Sequence, residues 1–211
     1  MVLALDTCLG ACSVAIADGD HTAAWLSEAM ARGHQERLAL MVRDVMGEAR
    51  LAFGDLDRIG VTVGPGSFTG LRVGLAFAKG LALALDRPCV GVGALEALAA
   101  SAGSPGICAA VIDAGRGRAY LQLFEAGRPL TAPDILPLPE AAERLARARG
   151  DRHARLVGPG AALLAPMIAR AEVVGLVAPS PATVARLAAD VSPSPPRPLY
   201  LRAPDARPKT P

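Results

Sequence analysis

The chain has 211 residues, of which 52% are hydrophobic and 20% charged, and its formal net charge is +2. A chain of this composition can bury a sizeable core, and its charge gives no electrostatic argument for gripping RNA tightly on its own. The four cysteines have neither C-x-x-C spacing nor a nearby histidine, and the first residues lack the pattern of a signal peptide, so we expect a cytoplasmic globular protein without a metal.

The first half of the chain alternates strands and helices. Apolar runs bounded by turn residues predict strands at residues 2–6, 11–17, 22–28 and 59–63. Residues 34–50 form a predicted helix, because Leu38, Met41, Val42 and Val45 recur at helical spacing with charged residues on the opposite side. Another short strand lies within RPCVGVG, and a helix follows near residues 95–100.

The stretch GPGSFTGLRVGLAFAKGLALAL, residues 64–85, predicts a glycine-containing loop that opens a long helix. Ser67 and Thr69 are positioned to cap this helix, and the unpaired amides of a helix N-terminus attract anions. The loop nevertheless matches no phosphate fingerprint, since Thr69 stands at the third glycine of G-x-G-x-x-G. The helix approaches membrane length, but Arg72 and Lys79 interrupt it, and we expect a buried helix rather than a membrane span.

The second half repeats the first in outline. LALDTCLGACSVAIADG and AAVIDAGRGRAYLQLFEAG both read as an apolar strand, an aspartate, small residues with glycine, and a second apolar strand. The aspartates are Asp6 and Asp113. The strands of the second copy are predicted at residues 107–113 and 119–126, and later helices at residues 139–149, 161–170 and 181–191. The proline-rich tail from residue 192 should run extended, with LYLR as the part that docks.

The duplicated unit resembles the core of the actin, hexokinase and Hsp70 superfamily, in which turns of both halves face phosphates across a cleft. This resemblance implies an α/β fold with duplicated, ribonuclease H-like βββαβα halves: residues 1–102, a reduced second half at 103–191, and the tail at 192–211. It also implies that Asp6 and Asp113 lie at a nucleotide cleft, with Gly158 and Gly160 of LVGPGAALL as the remnant of an adenosine loop. The alternative is that each aspartate only caps its own turn.

Five stretches together resemble the bacterial TsaB (YeaZ) family: LALDTCLGACSVAI, HQERLALMVRDVM, GVTVGPGSFTGLRVGLAFAKGLALAL, VIDAGRGRAYLQLF and PLYLR. The resemblance is close over residues 1–124 and thin beyond them. It implies an accessory subunit for the formation of N6-threonylcarbamoyladenosine at position 37 of tRNAs that read ANN codons. The implied partners are the catalytic paralogue TsaD, in a heterodimer, and the ATPase TsaE.

The same resemblance sets expectations for the isolated chain. Without its partner it should form a homodimer, and it should meet tRNA only through the complex and not bind a membrane. No cofactor is expected on the chain alone, while ATP or ADP at the junction with the partner stays open.

The metal site of the TsaD family can be compared with this sequence. In that family, a glycine-valine pair after the glycine-loop helix leads into H-x-x-x-H, whose histidines hold the catalytic metal. Here Gly91 and Val92 are followed by Ala94 and Leu98 at those places, and neither side chain can bind a metal. Glu96 remains between them, but one carboxylate cannot hold a catalytic metal. The sequence therefore predicts neither catalytic residues nor a metal site.

Small residues recur at every fourth position along the apolar helix, at Gly66, Gly70, Gly74, Ala78 and Ala82, so another backbone can approach closely there. The family's helix-bundle contact with its paralogue suggests that this glycine stripe belongs to a docking face. The predicted interface residues are Leu38, Met41, Val42, Val45, Gly66, Gly70, Leu71, Gly74, Leu75 and Ala78. The alternative, in which the helix at residues 34–50 covers the stripe inside the chain, stays open.

Two enzymatic functions compete with the accessory role. A phosphotransferase of the sugar or acetate kinase type would use Asp6 and Asp113 around Mg-ATP, but the second half is short and no catalytic base is recognisable. A glycoprotease-like peptidase would use Ser67 of GPGSFTG, but G-x-S-x-G is not matched and no histidine is near it in sequence.

Overall fold

The computed structural model describes residues 1–103 and 105–202, so the end of the predicted tail, residues 203–211, lies outside the described residues. The chain forms two mixed sheets with helices packed on them. The strands are β1 (Val2–Asp6), β2 (Ala11–Asp18), β3 (His21–Ala29), β4 (Arg58–Thr62), β5 (Cys89–Val92), β6 (Ile107–Gly115), β7 (Arg118–Glu125), β8 (Arg128–Pro129), β9 (Asp134–Pro137), β10 (Ala154–Val157) and β11 (Ala171–Val174). The α-helices are α1 (His34–Ala49), α2 (Phe68–Leu85), α3 (Ala94–Ala102), α4 (Leu138–Arg149), α5 (Ala161–Leu164) and α6 (Pro181–Asp190).

The two sheets have the same plan. The first has the strand order β3-β2-β1-β4-β5, and the second has the order β11-β10-β6-β7-β8, with β9 also paired to β7. In each sheet a hairpin (β1–β2 or β6–β7) is extended by a parallel strand, with Leu3 opposite Ile59 in the first and Ala109 opposite Leu156 in the second. The α/β fold with a duplicated unit, predicted from the repeated strand-aspartate-strand pattern, is confirmed.

Burial explains why β1 and β2 read as continuous apolar runs. Both faces of the first sheet are covered, so every residue of β1 is buried. One face packs against α1 and α2, which contribute Leu38, Met41 and Leu75 among others. The other face packs against Val184 and Ala188 of α6. The edge strand β3 is only partly covered, and its burial varies from residue to residue.

Helix α6 lies on the first sheet, although its sequence falls within the predicted second half. Arg58 of β4 holds its C-terminal end by donating from Nη1 to the carbonyl oxygens of Ala188 and Ala189, at 2.8 and 2.9 Å. The proposed boundaries at residues 102/103 and 191/192 stay a prediction, and α6 is the element that crosses between the halves.

The second half shows the largest differences from the sequence prediction. The helix predicted at residues 161–170 is shorter, with α5 followed by a 3-10 turn at Ala165–Met167, because Pro166 lacks the N–H that would continue the α-helix. The strands β8 to β11 have two to four residues each, and the sequence prediction missed them. Runs this short carry little periodicity.

Helix α2 is long and apolar enough to cross a membrane by length and composition alone, and it is the one such helix within the described residues. A third of its residues are buried inside the molecule. These include Leu71, Leu75 and Ala78, which pack against the first sheet. The helix therefore covers the sheet with one side and presents its other side to the surface, so the expectation of a buried helix holds for one side of α2 only.

Candidate functional site

A cleft of about 1100 Å³ lies between the two halves. We call it the central cleft. The first half contributes the β1–β2 turn and the N-terminal turn of α2, and the second half contributes the end of β6 and Tyr120. Residues Leu199–Arg202 run along its mouth, where Leu199 N donates to Val63 O at 2.8 Å and Arg202 Nη1 donates to Ala114 O at 3.2 Å. The LYLR stretch docks, as predicted, and it joins the two halves.

Asp6 does not line the central cleft. Its side chain is 1% exposed, and its Oδ1 accepts from the Cys8 amide at 3.0 Å and from Thr62 Oγ1 at 2.6 Å. Burial raises the pKa of Asp6, while the hydrogen bonds from Thr62 and Cys8 lower it by less. This geometry supports the turn-capping alternative for Asp6 and corrects its assignment to a nucleotide cleft.

The resemblance to the superfamily implies that the β1–β2 turn faces phosphates. In this chain, backbone groups of the turn are hydrogen-bonded to other parts of the same chain. The amide of Gly10 donates to Val177 O at 3.3 Å, and the amide of Cys8 is bound by Asp6. The carbonyl oxygen of Cys8 accepts from the Ser67 amide at 2.7 Å. Amides that are paired in this way are not available to a phosphate.

Asp113 is exposed and does line the central cleft. Its Oδ1 accepts from the amide of Gly115 at 2.7 Å, which closes the β6–β7 turn. Asp113 therefore caps its own turn and also faces the cleft, while a role in binding a nucleotide stays a prediction. Of the four residues predicted to bind a nucleotide, it is the one that reaches the cleft with a side chain.

Gly158 and Gly160 allow the turn after β10 to approach the backbone of β6 closely. A Cβ atom at Gly158 would lie 2.7 Å from Val111 O, and one at Gly160 would lie 2.8 Å from Asp113 N. The Gly160 amide also donates to Val111 O at 3.0 Å. The turn after β10 is thus pressed against β6, and these two glycines are explained without a nucleotide.

Ala94 and Leu98 are fully buried at the start of α3 and belong to the main hydrophobic core. Glu96 between them is exposed, and partial desolvation raises its pKa. Within residues 1–103 and 105–202, no three histidine, cysteine or acidic side chains come together as metal ligands. Ser67 is the N-cap of α2, where its Oγ accepts from Gly70 N at 3.2 Å, while Thr69 lies within the first turn.

The glycine stripe of α2 faces the interior of the same chain. A Cβ atom at Gly70 would lie 2.0 Å from Thr7 O, and one at Gly74 would lie 2.4 Å from Thr7 Oγ1. Gly70 and Gly74 of the stripe therefore pack on the β1–β2 turn of the same chain, and not on α1 as the intrachain alternative expected. The residues predicted as a partner interface are placed accordingly: Leu38, Met41, Val42, Val45, Gly70, Leu71, Gly74, Leu75 and Ala78 are buried, and Gly66 is partly buried against Cys8.

The opposite side of the α1–α2 layer is exposed and was missed. Leu83 of α2 is 85% exposed, and Leu40 of α1 is 42% exposed. Helix α2 also exposes Ala76, Gly80 and Ala84, and a Cβ atom at Gly80 would meet nothing within 4 Å. We call this surface the outer α1–α2 face. Its small residues also recur at every fourth position, so the sequence contains the pattern. The prediction chose the glycine stripe instead, because that stripe is longer.

A cluster of three large side chains stands at the mouth of the central cleft. The guanidinium carbon of Arg72 lies 3.8 Å from the centre of the Phe68 ring, and Arg72 Nε donates to Tyr200 Oη at 3.3 Å. The rings of Phe68 and Tyr200 are 5.7 Å apart. We call these three residues the aromatic rim.

Comparison with known proteins extends these observations. The model of the TsaD family, described as tRNA N6-adenosine threonylcarbamoyltransferase, matches residues 26–147. The chain is 38% identical over 123 residues to the tRNA threonylcarbamoyladenosine biosynthesis protein TsaB of Escherichia coli, which covers 56% of this chain and 52% of that protein. The chain thus spans about half the length of this curated relative.

Two other comparisons cover nearly the whole chain. An uncharacterized protein of Mycobacterium bovis is 36% identical over 217 residues, 98% of this chain and 94% of that protein. The solved structure of YeaZ from Pseudomonas aeruginosa superposes with a TM-score of 0.81 at 31% identity, over 94% of this chain and 98% of that chain.

Proposed function

The chain belongs to the TsaB (YeaZ) family, and from this membership we propose that it is a non-catalytic subunit of the machinery that forms N6-threonylcarbamoyladenosine at position 37 of tRNAs reading ANN codons. Relatives named for the biosynthesis of threonylcarbamoyladenosine in tRNA support a role in this process. The match to the TsaD family model supports descent from a common ancestor with the transferase.

The absence of metal-binding side chains at two positions supports a non-catalytic role. Ala94 and Leu98 stand where the transferase family has its metal-binding histidines, and both are fully buried in apolar surroundings. The Cys8 and Gly10 amides of the β1–β2 turn are hydrogen-bonded within the chain. Two observations disfavour the alternatives: Asp6, which a kinase would need at the cleft, is buried, and Ser67, which a peptidase would need as nucleophile, caps a helix.

The outer α1–α2 face carries the proposal that the chain works by pairing with TsaD. Leu83 and Leu40 expose large apolar surface there, and the small residues Ala76, Gly80 and Ala84 leave room for another helix to approach. The same face would form a homodimer when the partner is absent. TsaE would join the complex, and tRNA would be bound only through it, in the cytoplasm, while ATP or ADP at the junction of the two subunits stays open.

Replacing Gly80 tests the proposal directly. Gly80→Leu should leave the fold intact, since the added side chain points into open space, and should reduce copurification with coexpressed TsaD about tenfold or more. The level of the modified nucleoside in a strain that depends on the variant should fall in parallel.

Ala146→Leu on the exposed side of α4 is the matched control and should copurify like the wild type. Gly80→Leu protein that melts normally and still binds TsaD at full strength would contradict the proposed interface.

A further inference from the structure

Two sequence motifs of unassigned purpose meet at the central cleft. Phe68 and Arg72 come from GPGSFTGLR, and Tyr200 comes from PLYLR. Together they form the aromatic rim, held by the stacking of Arg72 on Phe68 and by the hydrogen bond from Arg72 Nε to Tyr200 Oη. Phe68 is 56% exposed and Tyr200 49% exposed, so neither ring is needed to fill the core. Large rings held at the mouth of a cavity are typical of ligand recognition.

The wall behind the aromatic rim is apolar. Leu9, Leu71 and Ile112 line the central cleft, and Tyr120 adds a third ring from the second half. The volume of about 1100 Å³ is ample for a ligand that contains one or two fused rings. A flat hydrophobic body can therefore enter between the halves and stack on the rim.

Among the described residues, three charged side chains line the central cleft: Arg72 in the aromatic rim, and Asp113 and Arg202 on the side of the second half. Arg72 binds Tyr200 through Nε, and its terminal nitrogens Nη1 and Nη2 have no partner in the part of the chain that the structure describes. The carboxylate of Asp113 stands in the second half, at the end of β6, where it is bound to the Gly115 amide. Arg202 donates to Ala114 O beside this carboxylate, so Asp113 and Arg202 stand together in the second half. Arg72, in contrast, is the cation of the aromatic rim and the place where an anion is favoured.

We propose that the central cleft binds a small planar anion, which stacks its ring on the aromatic rim and places its acidic group on the guanidinium of Arg72. A sulfonate, carboxylate or phosphate on an aromatic ring meets this description. Mg-ATP fits this description less well, because two amides of the β1–β2 turn, those of Cys8 and Gly10, are already hydrogen-bonded within the chain. The proposal concerns the isolated chain and does not depend on a partner subunit.

Two fluorescent probes that differ in one charge test this proposal. Anilinonaphthalene sulfonate carries the ring system and the acidic group, and N-phenylnaphthylamine has the same rings without the charge. We expect the wild-type chain to bind one molecule of the sulfonate saturably and about tenfold more tightly than the neutral probe. Inorganic sulfate, which lacks a ring, should not displace the dye at an equal concentration.

Three variants assign the binding to the aromatic rim. Arg72→Gln should weaken binding of the sulfonate about tenfold and leave the neutral probe unchanged. Tyr200→Phe keeps the ring but loses the hydroxyl that orients Arg72, and should weaken the sulfonate about threefold. Arg186→Gln, which removes one exposed charge from α6 outside the cleft, should bind both probes like the wild type.

All three substitutions are at exposed or partly exposed side chains, so unchanged melting curves should accompany them. The proposal is overturned if Arg72→Gln weakens both probes equally, if Arg186→Gln weakens the sulfonate as much, or if the dye binds without saturation. None of these results bears on pairing with TsaD, which is measured on the outer α1–α2 face.

Discussion

At the scale of single residues, the tightest packing lies where α2 crosses the β1–β2 turn. Thr7 Oγ1 donates to Gly70 O at 2.7 Å, and this contact is so close that a Cβ atom at Gly70 would lie 2.0 Å from Thr7 O. Gly80 lies on the same helix but on its exposed side, where a side chain meets nothing. The two glycines therefore have opposite reasons to be present.

We expect Gly70→Ala to lower the free energy of unfolding by about 1–3 kcal/mol, because the methyl group overfills the contact with Thr7. Gly80→Ala should raise it by about 0.5–1 kcal/mol, because alanine favours the helix and its methyl group is unhindered. Urea unfolding of both variants against the wild type measures the difference. If both substitutions change the free energy of unfolding in the same direction, the assignment of Gly70 to the buried side of α2 and of Gly80 to its exposed side is wrong.

The buried carboxyl group of Asp6 is the second notable residue. Burial raises its pKa, and its Oδ2 and the Nε2 of His34 are buried without a hydrogen-bond partner among the described residues. At pH values above the pKa that Asp6 has in the unfolded chain, the carboxyl group stays protonated in the folded chain but ionises in the unfolded chain. The stabilisation from the neutral form is thus present at low pH and lost as the pH rises through the folded pKa.

Asp6→Asn should therefore become more stable relative to the wild type as the pH rises. Asparagine is neutral at every pH and keeps an oxygen that can accept from Thr62 Oγ1 and the Cys8 amide. Urea unfolding of both proteins between about pH 4 and about pH 8 gives the difference in the free energy of unfolding. A constant difference across this range would contradict a raised pKa.

At the scale of elements, α6 shows how one helix is fixed to a distant sheet. A Cβ atom at Gly60 of β4 would lie 2.3 Å from Ala188 Cβ, so the helix sits directly on the strand. Arg58 then satisfies the carbonyl oxygens of Ala188, Ala189 and Val191 at the C-terminal end of α6. These carbonyls have no partner within the helix itself.

Arg58→Met should lower the free energy of unfolding by about 1–2 kcal/mol, because methionine keeps the apolar stem but cannot bind the three carbonyl oxygens. Hydrogen exchange in α6 should accelerate more than exchange in α1. The control Arg186→Met, on the exposed side of α6, should change the stability by less than about 0.5 kcal/mol. If Arg58→Met and Arg186→Met lower the free energy of unfolding equally, the capping role of Arg58 is contradicted.

At the scale of the whole molecule, α3 unites the two halves. Its Leu95 and Leu98 are buried in one core cluster that includes Leu3 and Ile59 of the first sheet and Phe124 of the second. The docked Leu199–Arg202 segment adds hydrogen bonds to both halves. A core shared in this way should make the two sheets unfold together.

Leu98→Ala should lower the free energy of unfolding by about 2–5 kcal/mol, because it leaves a cavity between the two sheets. The fluorescence of Trp25 on β3 and hydrogen exchange in β6 and β7 should report the same shifted transition. Leu83→Ala, on the exposed side of α2, should shift neither probe by more than about 0.5 kcal/mol. Separate transitions for the two sheets would contradict a shared core.

Much of the fold follows from local signals in the sequence. Apolar runs fix β1, β2 and β6, helical periodicity fixes α1 and α2, and His34 and Ser67 mark the starts of those helices as predicted. The repeated aspartate-containing hairpin predicts the duplicated plan. These features depend on neighbours within a few residues, so the order of amino acids is sufficient to specify them.

The sites depend on contacts that local patterns do not contain. Helix α2 carries small residues four apart on two sides, at Gly70 and Gly74 and at Ala76 and Gly80, and its periodicity does not say which side meets the β1–β2 turn. Arg72 and Tyr200 are 128 residues apart in the chain before they meet at the aromatic rim. The sequence by itself determined the longer strands and helices and the family. The tertiary structure decided which faces are buried and where the cleft opens, because packing between distant segments selects one face from several that are equally apolar.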